Sequence, residues 1–591
     1  MRRLQIIGML AATALAASLL HVPVTQAAPS YEESAPVSYI VKTRHGDVYL
    51  EAIHPVKNGK IVKAPAILTY SPYSILGRNG DSGRWVPRGY VRIYADVVGT
   101  GNSGGCWDYG GKREKESGYD IVEWIAKQKW STGKIGMIGG SYEGTTANAV
   151  AVMDPPHLTT IVPEAAIARW YDYAFAGGIR YNLNNEGLAH QGPGAVTDEG
   201  IDTPLAFDFG LAIPPPLDPQ DPNWADRVAS TVTPCDELTH TQHGYDDTPD
   251  YDEFWLERDY VVDADKVDVP VLVAHNWGDW NVKQANGWDF YHAVKDSTVA
   301  RMFFGTRWEG HGTPGGDYDK VVDEWMDHYL MGVDNGMPKK LPAVTSQTSD
   351  SEGPLDYLAG RPKTTNVELI AQEIPRTDAE SYGWALLPSK PLVGGFRAPA
   401  PARFPSAGIN TESHAAHHAI NNHDWWYFQA PTFRKDTRIF GEIKVQIYSL
   451  VHRNWVTFTP SILDIDPAEH QFVAGNHVNT DPKGLVGVTR GWLDTRYRNG
   501  LDKQVELTPG KPFGVTVVAH PQDYVFKKGH YIGLLIQTEI NEWSLPKPYA
   551  CDSDQCPFVE VLWTDAKTRL VVPIVDAPKK PMDLFDMGHH H

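Results

Sequence analysis

"MIGGSYEGTTANAV", residues 137–150, decides how this chain is read. An apolar run passes into a string of small residues, and Ser141 stands at the join. That layout predicts a strand, a sharp turn and a helix, with a serine at the apex of the turn. The usual pattern for such a turn, G-x-S-x-G, fails here. Glu143 stands two places after the serine, and the glycine follows one place later as Gly144. A nucleophile elbow needs small residues, because the turn brings strand and helix close together. Gly139, Gly140 and Gly144 supply them, and Thr145, Thr146, Ala147 and Ala149 keep the helix slim. A serine that merely caps a helix would leave much the same trace, so the reading turns on its partners.

A serine hydroxyl is inert until a base accepts its proton, and the base needs an orienting carboxylate. In hydrolases with this elbow the chain order is Ser, then Asp or Glu, then His, with acid and base on loops at strand ends. "VPVLVAHNWGDWNVKQ" (269–284) places Asp279 three residues beyond an apolar run. "RMFFGTRWEGHGTP" (301–314) places His311 a few residues beyond the next. Ser141, Asp279 and His311 therefore form the candidate triad, with His275 as a rival base. An oxyanion hole needs two donors. The Tyr142 backbone N–H is one, and the loop "ILTYSPYS" (67–74) offers the Tyr73 phenol as the other. Without further support a core tyrosine is the plainer reading of Tyr73.

Around these loops the chain alternates between two patterns. Residues 37–53 alternate about His45-Gly46 and predict a hairpin. Runs at 64–70, 91–97, 134–138, 159–165, 270–276 and 300–306 are short and continuously apolar, as strands buried on both faces are. Helical periods separate several of them. Ile121, Trp124, Ile125 and Gln128 share one face within 117–129, and Val321, Val322, Trp325, Met326, Tyr329 and Leu330 share one within 319–331. Such alternation predicts a parallel sheet with crossovers. Residues 166–256 break the rhythm with aromatics, Asn, Asp and Pro, and are expected to form a cap over the site. Residues 341–577 hold short alternating strands punctuated by Gly and Pro, the signature of an all-β sandwich or jelly roll. The expected division is a signal peptide at 1–27, an α/β-hydrolase domain at 28–165 and 257–340 interrupted by the cap, a β domain at 341–577, and a tail at 578–591 whose "GHHH" resembles an affinity-tag remnant.

Composition narrows the function. The chain has 591 residues, 42% of them hydrophobic, and a formal charge of −20. Length and apolar content suffice for a large core in two or three domains. An excess of acid without a basic block argues against nucleic acid or an anionic membrane as partner. Arg2 and Arg3 precede an apolar run from Leu4 to Leu20, with Thr25 and Ala27 in A-x-A-like positions, so export with cleavage after Ala27 is expected. Export permits disulfides. Cys551 and Cys556 can close a short loop, which leaves Cys106 and Cys235 as a second pair; no CxxC spacing points to a metal. The histidines in "HAAHHAINNH" (414–423) are mixed in spacing and read as a polar loop.

The motifs together resemble the Xaa-Pro dipeptidyl-peptidase and cocaine esterase superfamily of α/β-hydrolases over nearly the whole mature length. The family's elbow is G-x-S-Y-x-G, which "GGSYEG" fits, so the late glycine is the family's form of the turn. "VEWIAKQKWSTGKIGMIGGSY" (122–142) resembles the approach to the nucleophile, and "SPY" resembles the Pro-Tyr pair whose hydroxyl completes the oxyanion hole, which carries Tyr73. "DVVGTGNSGG" (96–105) resembles the glycine-rich loop ahead of it, except that Val98 replaces a frequent arginine. "HNWGDWNVKQ" and "PEAAIARWYDYAFAGG" resemble the peptidase branch, which carries Trp170 and Tyr173 as walls of a proline pocket. The N-terminal domain of the longer lactic-type peptidases has no counterpart, so dimerisation through it is not expected.

The resemblance implies an exported serine peptidase that removes a dipeptide ending in proline through an acyl-enzyme, with no cofactor or metal. An esterase or acylase with the same triad is the alternative. A non-catalytic surface- or carbohydrate-binding protein is the third reading. Asp172, Glu186, Asp198, Glu199 and Asp202 are the cap carboxylates that could receive the substrate's ammonium.

Overall fold

The computed structural model describes residues 30–73, 80–181, 235, 249–307, 309–346, 356–357, 363–367, 426–451, 454–468, 485–537, 561–564, 568–575 and 585–586. Residues 1–27, the Cys551–Cys556 loop, residues 414–423 and the carboxylates from Glu186 to Asp202 lie outside them.

The apolar runs form one ten-stranded sheet. In chain order its strands are β1 (Val37–Thr43), β2 (Gly46–Ile53), β3 (Ala64–Ser71), β4 (Val91–Asp96), β5 (Ser131–Gly140), β6 (Leu158–Glu164), β7 (Val271–Asn276), β8 (Ala300–Gly305), β9 (Val344–Ser346) and β10 (Asp356–Tyr357). Their spatial order is β1-β2-β4-β3-β5-β6-β7-β8-β9-β10. From β4 to β9 every pairing is parallel, and antiparallel strands close both edges. β3 and β7 are buried along their whole length, which is why neither alternates in polarity.

Both faces are covered. Helices α2 (Lys112–Ala126), α3 (Tyr142–Ala151) and α6 (Ala285–Val294) pack Ile121, Ile125, Val150 and Phe290 onto Leu68, Met137 and Ile161. On the other face α1 (Ser82–Trp85) and α7 (Tyr318–Met326) pack Trp85, Val322, Trp325 and Met326 onto Ile67, Ile138 and Phe303. Both predicted helices shift at their ends. α2 starts at Lys112 and ends at Ala126, so Gln128 lies outside it, because the chain must turn before β5 begins pairing at Ser131 opposite Ala64. α7 ends at Met326 and continues as a π-helical turn, Asp327–Met331, in which Leu330 remains buried.

Within the expected cap, α4 (Trp170–Ala174) leads into a short hairpin, Phe175–Ala176 against Ile179–Arg180. The chain returns through α5 (Glu253–Glu257), whose first turn is capped by the Asp252 carboxylate. Cys106 and Cys235 are disulfide-bonded, which ties the cap to the loop after β4.

The C-terminal region forms two antiparallel sheets around a second core. One runs Lys363–Val367, Arg569–Ile574, Thr437–Val451, Phe513–Phe526; the other runs Trp426–Gln429, Tyr531–Gln537, Thr457–Ile465, Leu485–Arg490. This is the expected jelly-roll-type region following an α/β-hydrolase sheet. It abuts the hydrolase part both through apolar side chains, Phe440 and Trp492 joining the hydrolase core, and through polar contacts. Gln522 Nε2 donates to the Trp277 carbonyl at 2.9 Å, Ser346 Oγ donates to Asp523 at 2.6 Å, and Arg307 donates to the Gly487 carbonyl at 2.6 Å.

Candidate active site

Ser141 lies where β5 turns into α3, with φ 59° and ψ −125°. A positive φ at a residue with a side chain is strained, and such strain persists only where the surroundings enforce it. Here they do. Ser141 N donates to the Glu164 carbonyl at 2.8 Å, and the Thr145 N–H and hydroxyl both donate to the Ser141 carbonyl at 2.9 Å. The glycines answer to the same crowding. A Cβ on Gly144 would meet the Gly139 carbonyl oxygen at 2.6 Å and the Glu164 nitrogen at 2.8 Å, and one on Gly139 would meet the Glu143 Cβ at 2.4 Å. The G-x-S-Y-x-G spacing therefore puts glycine at the two positions with no room for a side chain.

Tyr73, two residues beyond the end of β3, reaches the same point. Its phenol oxygen is 3.3 Å from Ser141 Oγ and accepts the Tyr142 N–H at 3.3 Å. Both expected oxyanion donors thus converge beside the serine and bond to one another. Tyr73 is also largely buried, so its core packing and its place at Ser141 coexist.

The acid loop follows β7. Asp279 is fully buried. One carboxylate oxygen accepts the N–H groups of Asn281 and Val282 at 3.0 Å each; the other faces His311 Nδ1 at 2.9 Å and His275 Nε2 at 3.3 Å. Burial alone would raise its pKa, but the His311 ring and the hydrogen bonds from both histidines outweigh it and hold the pKa down at about 2. With Nδ1 turned to Asp279, His311 keeps Nε2 as the nitrogen that can take a proton. His275 is fully buried, and its Nε2 lies 2.7 Å from the Val282 carbonyl. It meets from within the core the same Asp279 oxygen that His311 faces. Among the described residues the hydrogen-bond partner of Ser141 Oγ is Tyr73 and not His311, as free enzymes with loosely formed catalytic contacts often show.

Trp170 is fully buried. Its ring packs against Tyr109 at 4.2 Å and Tyr142 at 5.1 Å between centroids, and its Nε1 donates to the Tyr260 hydroxyl at 2.9 Å. Tyr173 extends to the acid loop, where its hydroxyl lies 3.4 Å from Asn281 Oδ1. Asp172, the one described cap carboxylate of the predicted set, lies 3.7 Å from the Arg169 guanidinium, which also contacts Asp259 and Asp289. Burial raises the pKa of Asp172 against the opposing pull of Arg169.

Three features had no local signal in the sequence. An open cavity of about 330 Å³ adjoins the elbow, lined by Tyr73, Gly140, Glu143, Glu164 and Thr313. The β domain steadies the acid loop through Gln522 and through Arg490, whose guanidinium lies 4.0 Å over the Trp280 ring. Beneath the elbow, Tyr142 donates its hydroxyl to the buried Glu114 at 2.8 Å and accepts from Trp107 Nε1 at 2.9 Å. Each joins residues far apart in the chain.

The sequence and the fold resemble those of known proteins. Residues 48–311 match the family described as X-Pro dipeptidyl-peptidase (S15 family), and residues 362–550 match the X-Pro dipeptidyl-peptidase C-terminal non-catalytic domain. A Bacillus anthracis protein named "Putative Xaa-Pro dipeptidyl-peptidase" is 27% identical over 80% of this chain and 73% of its own length. One of the same name from Streptomyces avermitilis is 26% identical over 90% and 83%. In fold, the chain is similar to a CocE/NonD family hydrolase from Staphylococcus aureus, with a TM-score of 0.64, 17% identity, and coverage of 92% of this chain and 94% of that one.

Proposed function

Because the chain belongs to the Xaa-Pro dipeptidyl-peptidase and cocaine esterase superfamily of α/β-hydrolases, we propose that it is a serine peptidase releasing Xaa-Pro dipeptides from peptide N-termini. The observation that carries the serine-hydrolase chemistry is Ser141 at a strained turn with the Tyr73 phenol 3.3 Å from its hydroxyl oxygen, and the matched family supports the choice of substrate.

Ser141 Oγ attacks the carbonyl carbon of the second residue, and His311 Nε2 takes its proton. Asp279, ionised throughout the working range, orients the ring and stabilises the imidazolium. The oxyanion displaces the mutual contact of Tyr73 and Tyr142 and accepts from the phenol and the N–H. His311 then passes the proton to the leaving amine, and an acyl-enzyme remains. Water, deprotonated by His311, attacks the acyl carbon; the second oxyanion collapses, and Ser141 recovers its proton. The peptidase branch and the contact of Tyr173 with the acid loop support Trp170 and Tyr173 as parts of the proline pocket. Asp172 is the described candidate for the substrate ammonium. The N-terminal sequence and the Cys106–Cys235 disulfide support export, which N-terminal sequencing of the mature protein from its native host tests.

A fluorophosphonate probe tests the assignment of Ser141: labelling of wild type and not of Ser141→Ala is expected. Labelling that survives the substitution would remove Ser141 from the mechanism.

A further inference from the structure

A hydrogen-bonded group of buried side chains lies beneath the elbow. Glu114, on the first turn of α2, is completely buried. Its Oε2 accepts the Gly110 N–H at 3.0 Å and the Tyr142 hydroxyl at 2.8 Å. Its Oε1 is buried without a hydrogen-bond partner among the described residues. Tyr142 is thus held at both ends. Its phenol is pinned between Glu114 and Trp107, its ring is enclosed by Tyr109 and Trp170, and its backbone N–H points at Tyr73 beside Ser141.

We propose that Glu114 is a positioning residue that works through Tyr142: by holding the phenol it fixes the backbone N–H that receives the oxyanion. The inference rests on the assignment of Ser141 and the Tyr142 N–H above. The competing explanation is local. Glu114 bonds the Gly110 N–H just ahead of the helix while Asp108 accepts the N–H groups of Arg113 and Glu114 at 2.7 and 3.2 Å, so Glu114 could serve only to cap α2.

Charge separates the two roles. Burial, reinforced by the Asp108 carboxylate, pushes the Glu114 pKa up to about 8, against the Gly110 and Tyr142 hydrogen bonds and the Arg258 guanidinium. The groups facing it are Asp108 from the loop ahead of α2, Arg258 after α5, Tyr142 from α3, Tyr70 from β3, and Tyr260. The three tyrosines are all pushed well above their ordinary range by burial. Near neutrality Glu114 is therefore uncharged, and a proton on Oε1 leaves both bonds to Oε2 in place. Above about pH 8 it becomes an anion at the base of a site that must stabilise another anion, which opposes the transition state in a low-dielectric surrounding.

The test uses the full chain and p-nitrophenyl acetate, which reads the oxyanion hole whatever the peptide specificity. Glu114→Leu and Tyr142→Phe should each lower kcat by about ten- to a hundredfold with KM changed little, less than the loss of a donor outright. Glu114→Gln, whose amide oxygen still accepts from the phenol, should recover about tenfold or more of the kcat lost in Glu114→Leu. Wild-type kcat should decline above about pH 8, and Glu114→Gln should not. Tyr142→Phe keeps the proposal testable if Glu114→Leu does not fold. Wild-type kcat in folded Tyr142→Phe, or the same alkaline decline in Glu114→Gln, would overturn the proposal alone. Activity in Ser141→Ala would instead overturn the assignment on which it rests.

Discussion

The Tyr73 phenol oxygen lies 3.3 Å from Ser141 Oγ and accepts the Tyr142 backbone N–H. One hydroxyl from just beyond the end of β3 thus touches the proposed nucleophile and the proposed second oxyanion donor. Tyr73→Phe should lower kcat by about 10²–10³ with KM little changed. If Tyr73 only packs the core, kcat will hold and the loss will appear in thermal stability.

Ser141→Ala should abolish turnover and leave the fold intact, since the hydroxyl contributes no core packing. Removing such a nucleophile costs of order 10⁶ in kcat in well-studied serine proteases. Residual activity within tenfold of wild type would exclude Ser141.

Activity should rise with pH as His311 loses its proton, because only neutral imidazole serves as base. Asp279, held at about 2, contributes no limb in that range. A flat profile of kcat/KM from about pH 5 to 8 would contradict the assignment of His311.

Glu164 supplies a stability test apart from catalysis. It is buried, and Tyr318 donates to its carboxyl at 2.7 Å. Burial, against that hydrogen bond, raises its pKa from the ordinary 4.5 of a glutamate to about 7. Between those values the folded protein holds a proton that the unfolded chain has released. Stability should therefore fall as pH rises from about 4.5 to 7 and then level, by roughly 1.4 kcal/mol per unit of separation at most. Glu164→Gln should raise Tm relative to wild type at pH 8 and lose that advantage at pH 5. An equal effect at both pH values would show that the carboxyl does not titrate this way.

The sequence made legible whatever depends on neighbours in the chain. Continuous burial wrote β3 and β7 as unbroken apolar runs. Steric crowding wrote the elbow as Gly139, Ser141 and Gly144, and the loops after β7 and β8 placed Asp279 and His311 in the order that brings them to 2.9 Å. Contacts made across the fold left no such trace. Glu114 reads as one more charge in "KREKES" until α2 and α3 pack together. Gln522 is 245 residues from the Trp277 carbonyl it supports. Helix ends were lost for a related reason, since the pairing of Ser131 with Ala64, not the periodicity, halts α2 before Gln128.

The central claim is that the enzyme measures two residues from a free amino terminus. A carboxylate must then receive the substrate ammonium, and acylating that amine leaves the carboxylate desolvated and unpaired, at a cost of about 1–3 kcal/mol or more. The most direct measurement compares kcat/KM on Ala-Pro-p-nitroanilide and on its N-acetyl form. The free amine should be cleaved about tenfold to a few hundredfold faster. Equal rates would contradict the dipeptidyl-peptidase reading and favour an esterase or acylase, with Ser141, Asp279 and His311 still in their roles.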